Sequence, residues 1–176
     1  SADPMELGQF RIQNNDSSSE TRDVLVRSIT LRQNGTGDLI DLSDFVLERN
    51  GVVVSKSASV SGRDLTFTLD DTIKDGASGL YYIKAIVKNV KNNAGDTYTF
   101  EVRNTSDLNA VEITNGFRST VTLNALTAGY SLNTYTVNGA DVVFARDGSV
   151  ALSASTAKGT NDVVLMKGTV SAKTPV

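Results

Sequence analysis

Apolar and polar residues alternate with a period of two along most of this chain. Leu65, Phe67 and Leu69 alternate with Thr66, Thr68 and Asp70. Tyr81, Ile83, Ala85 and Val87 alternate with Tyr82, Lys84, Ile86 and Lys88, and Tyr98, Phe100 and Val102 with Thr97, Thr99, Glu101 and Arg103. Successive side chains of a strand point to opposite faces, so each run predicts a strand with one face in a core and one in water. No segment holds helical spacing over about 11 residues; residues 38–45 come nearest and predict a short helical turn. One segment changes parity: Val24 and Val26 share one, Ile29 and Leu31 the other. An inserted residue reconciles them, which predicts a β-bulge near Arg27 and Ser28. The alternative is a strand buried on both faces in its first half.

Turn signals separate these runs. Asn50-Gly51 lies between Phe45-Val46-Leu47-Glu48-Arg49 and Val52-Val53-Val54, the pattern of a two-residue hairpin whose type I′ turn needs positive φ at both positions. Asn34-Gly35-Thr36-Gly37, Asp75-Gly76, Asn93-Ala94-Gly95-Asp96, Asn115-Gly116, Asn138-Gly139 and Asp147-Gly148 mark further loops. Strands then recur about every 10 residues, the spacing of sandwiches and barrels. The expected core is Leu25, Ile29, Leu31, Leu65, Phe67, Leu69, Tyr81, Ile83, Val87, Tyr98, Phe100 and Val102. After Asn124 the chain becomes rich in Thr, Ala and Ser, with short apolar runs at 135–137, 141–145, 149–153 and 162–166. These predict a β-ribbon. The expectation is therefore an all-β chain: a sandwich module over 5–125, then a ribbon or linker over 126–176 leading into a neighbouring module. Leu7-Gly8-Gln9-Phe10-Arg11-Ile12 echoes Leu165-Met166-Lys167-Gly168-Thr169-Val170, which raises the possibility of a repeat nearly as long as the chain.

The segment Gly79-Leu80-Tyr81-Tyr82-Ile83-Lys84-Ala85-Ile86-Val87-Lys88-Asn89, followed by Asn92-Asn93-Ala94-Gly95-Asp96-Thr97, resembles the last hairpin of bacterial immunoglobulin-like modules. Ile29-Thr30-Leu31-Arg32-Gln33-Asn34-Gly35-Thr36, with Asp41-Leu42-Ser43-Asp44-Phe45-Val46-Leu47, resembles tandem β-sandwich repeats of bacterial cell-surface and surface-layer-like proteins. Asn161-Asp162-Val163-Val164-Leu165 resembles the strand joining one such repeat to the next. The resemblance implies an immunoglobulin-like antiparallel β-sandwich, a structural role on the outside of a cell, and no catalytic residues.

Composition narrows the chemistry. The 176 residues include no Cys, His or Trp. Without Cys there is no disulfide, thiolate metal site or cysteine nucleophile; without His no Ser-His-Asp site and no imidazole base. A net charge of −3 without a basic stripe argues against nucleic acid as a partner. No apolar run approaches the roughly 18 residues of a membrane span. A chain opening Ser1-Ala2-Asp3-Pro4 fits a processed start or a cut within a longer protein.

The candidate sites that remain are few. Asp38, Asp41 and Asp44 are expected in one loop, Asp70, Asp71 and Asp75 in another, and Asn14, Asn15 and Asp16 in a third. Calcium takes about six to eight oxygen ligands, and Asp38, Asp41 and Asp44 are the assigned calcium candidates; the other reading is solvated, turn-forming Asp. Glu48, Glu101 and Glu112 fall on expected strands, and a glycosidase would need two such acids across a cleft. Tyr82 points away from the core and is the candidate ring for glycan binding. Three Asn-x-Ser/Thr sequons, at Asn15, Asn34 and Asn104, indicate surface loops. The run Val163, Val164, Leu165 and Met166 is the candidate assembly strand: it pairs within its own module or adds to the sheet of a neighbouring copy. The expected role is a non-catalytic structural module of a secreted surface assembly, with a carbohydrate-binding or adhesin module as the alternative.

Overall fold

The structure, a computed structural model, describes residues 4–15, 20–89, 93–123, 130–131, 134–137, 141–146 and 168–173. Contacts divide the chain into two units, 1–137 and 138–176. In the first, β1 (Met5–Gln13) and β2 (Val24–Gln33) precede a 3-10 turn at Leu39–Asp41. Then come β3 (Leu42–Arg49), β4 (Val52–Ser55), β5 (Ser57–Ser61), β6 (Asp64–Ile73), β7 (Ser78–Val87), β8 (Thr97–Tyr98) and β9 (Phe100–Val102). A second 3-10 turn, Thr105–Asp107, leads to β10 (Leu108–Glu112), β11 (Tyr130–Ser131) and β12 (Tyr135–Thr136). The second unit holds β13 (Asp141–Arg146) and β14 (Gly168–Lys173), paired antiparallel from Asp141 opposite Lys173 to Arg146 opposite Gly168.

The pairings build two antiparallel sheets in the first unit. One has the order β1-β7-β3-β4; the other runs β5-β6-β2, with β10 and β9 along the remaining side of β2 and β11 beyond β9. Leu7, Phe10, Leu42, Leu47, Tyr81, Ile83 and Ala85 from the first sheet share one core with Val26, Ile29, Leu31, Leu65, Phe67, Ile73 and Phe100 from the second. Two antiparallel sheets around one core are consistent with a β-sandwich. Burying each of these side chains contributes roughly 1.5–3 kcal/mol. The rings of Phe10 and Tyr81 stack at 5.3 Å, tying β1 to β7.

The local patterns act as expected. Asn50 and Gly51 have φ of 49° and 84°, and Arg49 faces Val52 across the two-residue turn. The register of β2 shifts between Val26 and Ser28 against β6, and again against β10. Arg27 at that shift is exposed, and burial changes parity across it, from Val26 to Ile29 and Leu31. The bulge therefore makes Val26, not Leu25, the inward residue; Leu25 is only half-buried.

The short helical turn expected within residues 38–45 forms as a 3-10 turn over Leu39–Asp41 that runs straight into β3. Two expectations fail for reasons of longer range. Asp70 and Asp71 belong to β6, not to a loop. The hairpin expected between β7 and residues 97–102 does not form. Phe100 and Glu101 pair with Gln33 and Arg32 in the other sheet, and the neighbour of β7 on that side is β1. Tyr98 and Phe100 are fully buried in this arrangement. Tyr135 and Thr136 pair with Tyr98 and Thr97, so the first unit extends through Val137.

Candidate functional site

The acidic residues singled out by the sequence have local partners. Asp38 caps the first 3-10 turn, its carboxylate accepting from the Ile40 N–H at 3.2 Å. The Asp41 carbonyl accepts from the Lys88 N–H. Asp44 is exposed, with φ of 52°, where the β3–β7 register shifts between Ser43 and Val46. Among the described residues no three acidic side chains come together as a group able to hold a metal ion, so these three do not converge. Glu48 pairs with Lys84 at 2.6 Å on the outer face of the first sheet. Glu101 accepts from the Asn34 side chain. Glu112 accepts from the N–H groups of Thr114 and Asn115 at 2.6 and 2.9 Å. Burial raises the pKa of Glu112, but these backbone donors outweigh it and hold the group below the usual carboxylate range. The three glutamates thus serve three separate places.

Tyr82 is half-buried on the outer face of β7, opposite Gln9 of β1 and Glu48 of β3. Val163, Val164, Leu165 and Met166 lie outside the described residues.

Two polar clusters within the fold carry no sequence motif. Gln33 is fully buried. Its Nε2 donates to the Gly37 and Thr97 carbonyls at 2.8 and 3.2 Å, and its Oε1 accepts from the Gly35 and Thr99 N–H groups at 2.7 and 2.9 Å. Both donors and both acceptor positions of the amide are used. The glycines allow the approach: a Cβ on Gly35 would lie 2.1 Å from the Thr97 carbonyl oxygen, and one on Gly37 2.5 Å from the Tyr98 ring. The second cluster joins the two sheets. Arg49 of β3 donates to the Asp71 carboxylate at 2.8 Å and to the Thr72 carbonyl at 2.9 Å on β6, and the Tyr81 hydroxyl of β7 donates to Asp71. Burial, and then the Asp71 carboxylate, push the Tyr81 phenol far above its ordinary pKa. Burial likewise raises Tyr98 to about 12. Both clusters tie parts of the fold together.

The two margins of the unit are different. At one, β4 and β5 are the last strands of their sheets. Val52 and Val53 on β4 are 67% and 43% exposed, Val60 on β5 is 44% exposed, and Ile40 nearby is 70% exposed. At the other, β1 ends its sheet, and β10 continues through a turn to residues 117–119, where Val111 bridges Arg118. Between these two edges lies a groove of about 920 Å³, with Phe10, Ile12, Ile29, Val102, Leu108 and Leu123 among its apolar walls. Phe117, at its rim, is 73% exposed. Compared with known protein families, curated proteins and solved structures, the chain matches none. Among the described residues no helix is long and apolar enough to cross a membrane.

Proposed function

We propose that the chain is a non-catalytic structural module of a secreted bacterial cell-surface or surface-layer-like assembly, an immunoglobulin-like sandwich that works through protein–protein contacts. The observation carrying this reading is the exposure of large apolar side chains at both margins: Val52, Val53, Val60 and Ile40 on one, Phe117 and the groove on the other. Ile40 and Val60 line one shallow depression, and exposed apolar surface beside sheet edges supports an interaction site. A margin-to-margin contact is heterologous, so repeated copies close into a ring or extend into an open line, according to the rotation between them. Light scattering across protein concentration, with and without calcium, tests the reading. Growth with concentration supports it, and growth only with calcium makes the contact metal-dependent. A mass unchanged in every condition removes self-assembly.

A second reading is a carbohydrate-binding module, favoured by Tyr82 between Gln9 and Glu48 on the outer face. A glycan screen with the Tyr82→Ala variant separates the two, because that substitution abolishes glycan binding and leaves contacts at the margins intact.

A further inference from the structure

The groove between β1 and residues 117–123 has features that a general apolar contact does not need. Its first wall is a strand edge with no pairing partner among the described residues. The Asn14 N–H donates to the Ala77 carbonyl, so Ile12, Phe10 and Gly8, which share its parity, turn their backbone groups toward β7. Antiparallel alternation then leaves the N–H and C=O groups of Gln9, Arg11 and Gln13 on the open side. Its floor is apolar, formed by core side chains that include Phe10, Ile29 and Leu108.

Its charge is unbalanced toward the positive. Arg11 and Arg118 line the groove, and neither forms an ion pair among the described residues. Each makes one long bond to a neutral oxygen: Arg11 to the Ser78 hydroxyl at 3.3 Å, Arg118 to the Ser106 carbonyl at 3.4 Å. The acid lining the groove, Glu112, is already bound by the two backbone N–H groups of its own turn. Ser119 Oγ, buried in the same wall, has no hydrogen-bond partner among the described residues.

We infer that this groove takes up an extended segment of a partner polypeptide, apolar at alternate positions and carrying carboxylates between them, which adds to the free edge of β1. Main-chain bonds to Gln9, Arg11 and Gln13 give affinity, and the apolar floor selects alternate side chains. Arg11 and Arg118 select the acidic residues as charge-assisted donors. The inference rests on the reading of this chain as a contact module and names the contact at one margin.

The test uses the whole chain and three capped peptides. The first is Ser-Asp-Val-Thr-Val-Thr-Val-Asp-Ser, the second has both Asp replaced by Lys, and the third has every Val replaced by Ser. Backbone amide shifts are followed by NMR during titration, with light scattering of the free chain measured in parallel. The expected result is shifts at Gln9, Arg11 and Gln13 with the first peptide, at least fivefold weaker binding of the second, and none of the third. The double variant Arg11→Glu with Arg118→Glu inverts the preference between the first two peptides. Equal binding of the acidic and basic peptides overturns the inference, as do shifts confined to β4 and β5, or no binding at millimolar peptide. If the peptides fail while the free chain still associates, only the groove assignment falls. If association is absent as well, the contact-module reading falls with it.

Discussion

The space between the two sheets and the margins of those sheets are built on opposite terms. Inside the fold, two polar clusters are satisfied within the chain: the Gln33 amide makes four hydrogen bonds, and Asp71 receives both Arg49 and Tyr81. At the margins, the outer edge of β1 has no strand partner among the described residues, the Arg11 and Arg118 guanidiniums make one long hydrogen bond each, and the Val52, Val53 and Phe117 side chains are exposed. Stability is invested inside and contact potential is left outside. Substitutions inside should therefore move the melting temperature, while those at the margins should move association alone.

The largest effect belongs to Gln33→Leu. It strands the Gly35 and Thr99 N–H groups and the Gly37 carbonyl, each costing roughly 1–3 kcal/mol where it cannot reach water, while the Thr97 carbonyl keeps the Gly37 N–H. Urea denaturation should show a loss of about 3 kcal/mol or more, and an unchanged midpoint would break the contrast. Gly35→Ala comes next, because its Cβ meets backbone at 2.1 Å. Such overpacking costs roughly 1–3 kcal/mol, read in the same denaturation series.

Tyr81→Phe is smaller at neutral pH, about 1 kcal/mol for the lost hydrogen bond, and carries a pH signature. The folded phenols of Tyr81 and Tyr98 are raised above the unfolded value near 10. A raised group contributes stability that is fully present below the unfolded pKa and is lost as pH rises through the folded one. Melting temperature should fall from about pH 10 upward, and the fall should be shallower in Tyr81→Phe. Equal slopes would remove Tyr81 from the alkaline transition. The smallest effect on stability is expected from Val52→Thr with Val53→Thr, within about 0.5 kcal/mol of the parent.

What could be read from the sequence was local. The Asn50-Gly51 turn and the bulge at Arg27 each follow from a few adjacent residues, because turn chemistry and parity are properties of neighbours. Val26 rather than Leu25 enters the core because the bulge reverses parity and sets Val26 on the face of Ile29 and Leu31. Pairings between distant residues were hidden. Gln33 finds Thr97 and Thr99 across a separation of 64 and 66 residues, and nothing near Gln33 signals it. The crossing of residues 97–102 to the second sheet, which leaves β1 beside β7, was hidden for the same reason: alternation marks a strand but not its partner. Asp38, Asp41 and Asp44 are close in sequence, yet a capping turn and a register shift send them to separate tasks. The groove was illegible because it is defined by two edges, β1 and residues 117–119, more than 100 residues apart.

The central claim is that interior and margin are separable, and one paired measurement tests it most directly. The parent chain and the Val52→Thr, Val53→Thr, Val60→Thr variant are melted and then examined by light scattering over the same concentration range. The account predicts coincident melting curves and a parent that grows with concentration while the variant stays monomeric. Indistinguishable scattering from the two proteins, or a variant that melts well below its parent, would contradict it.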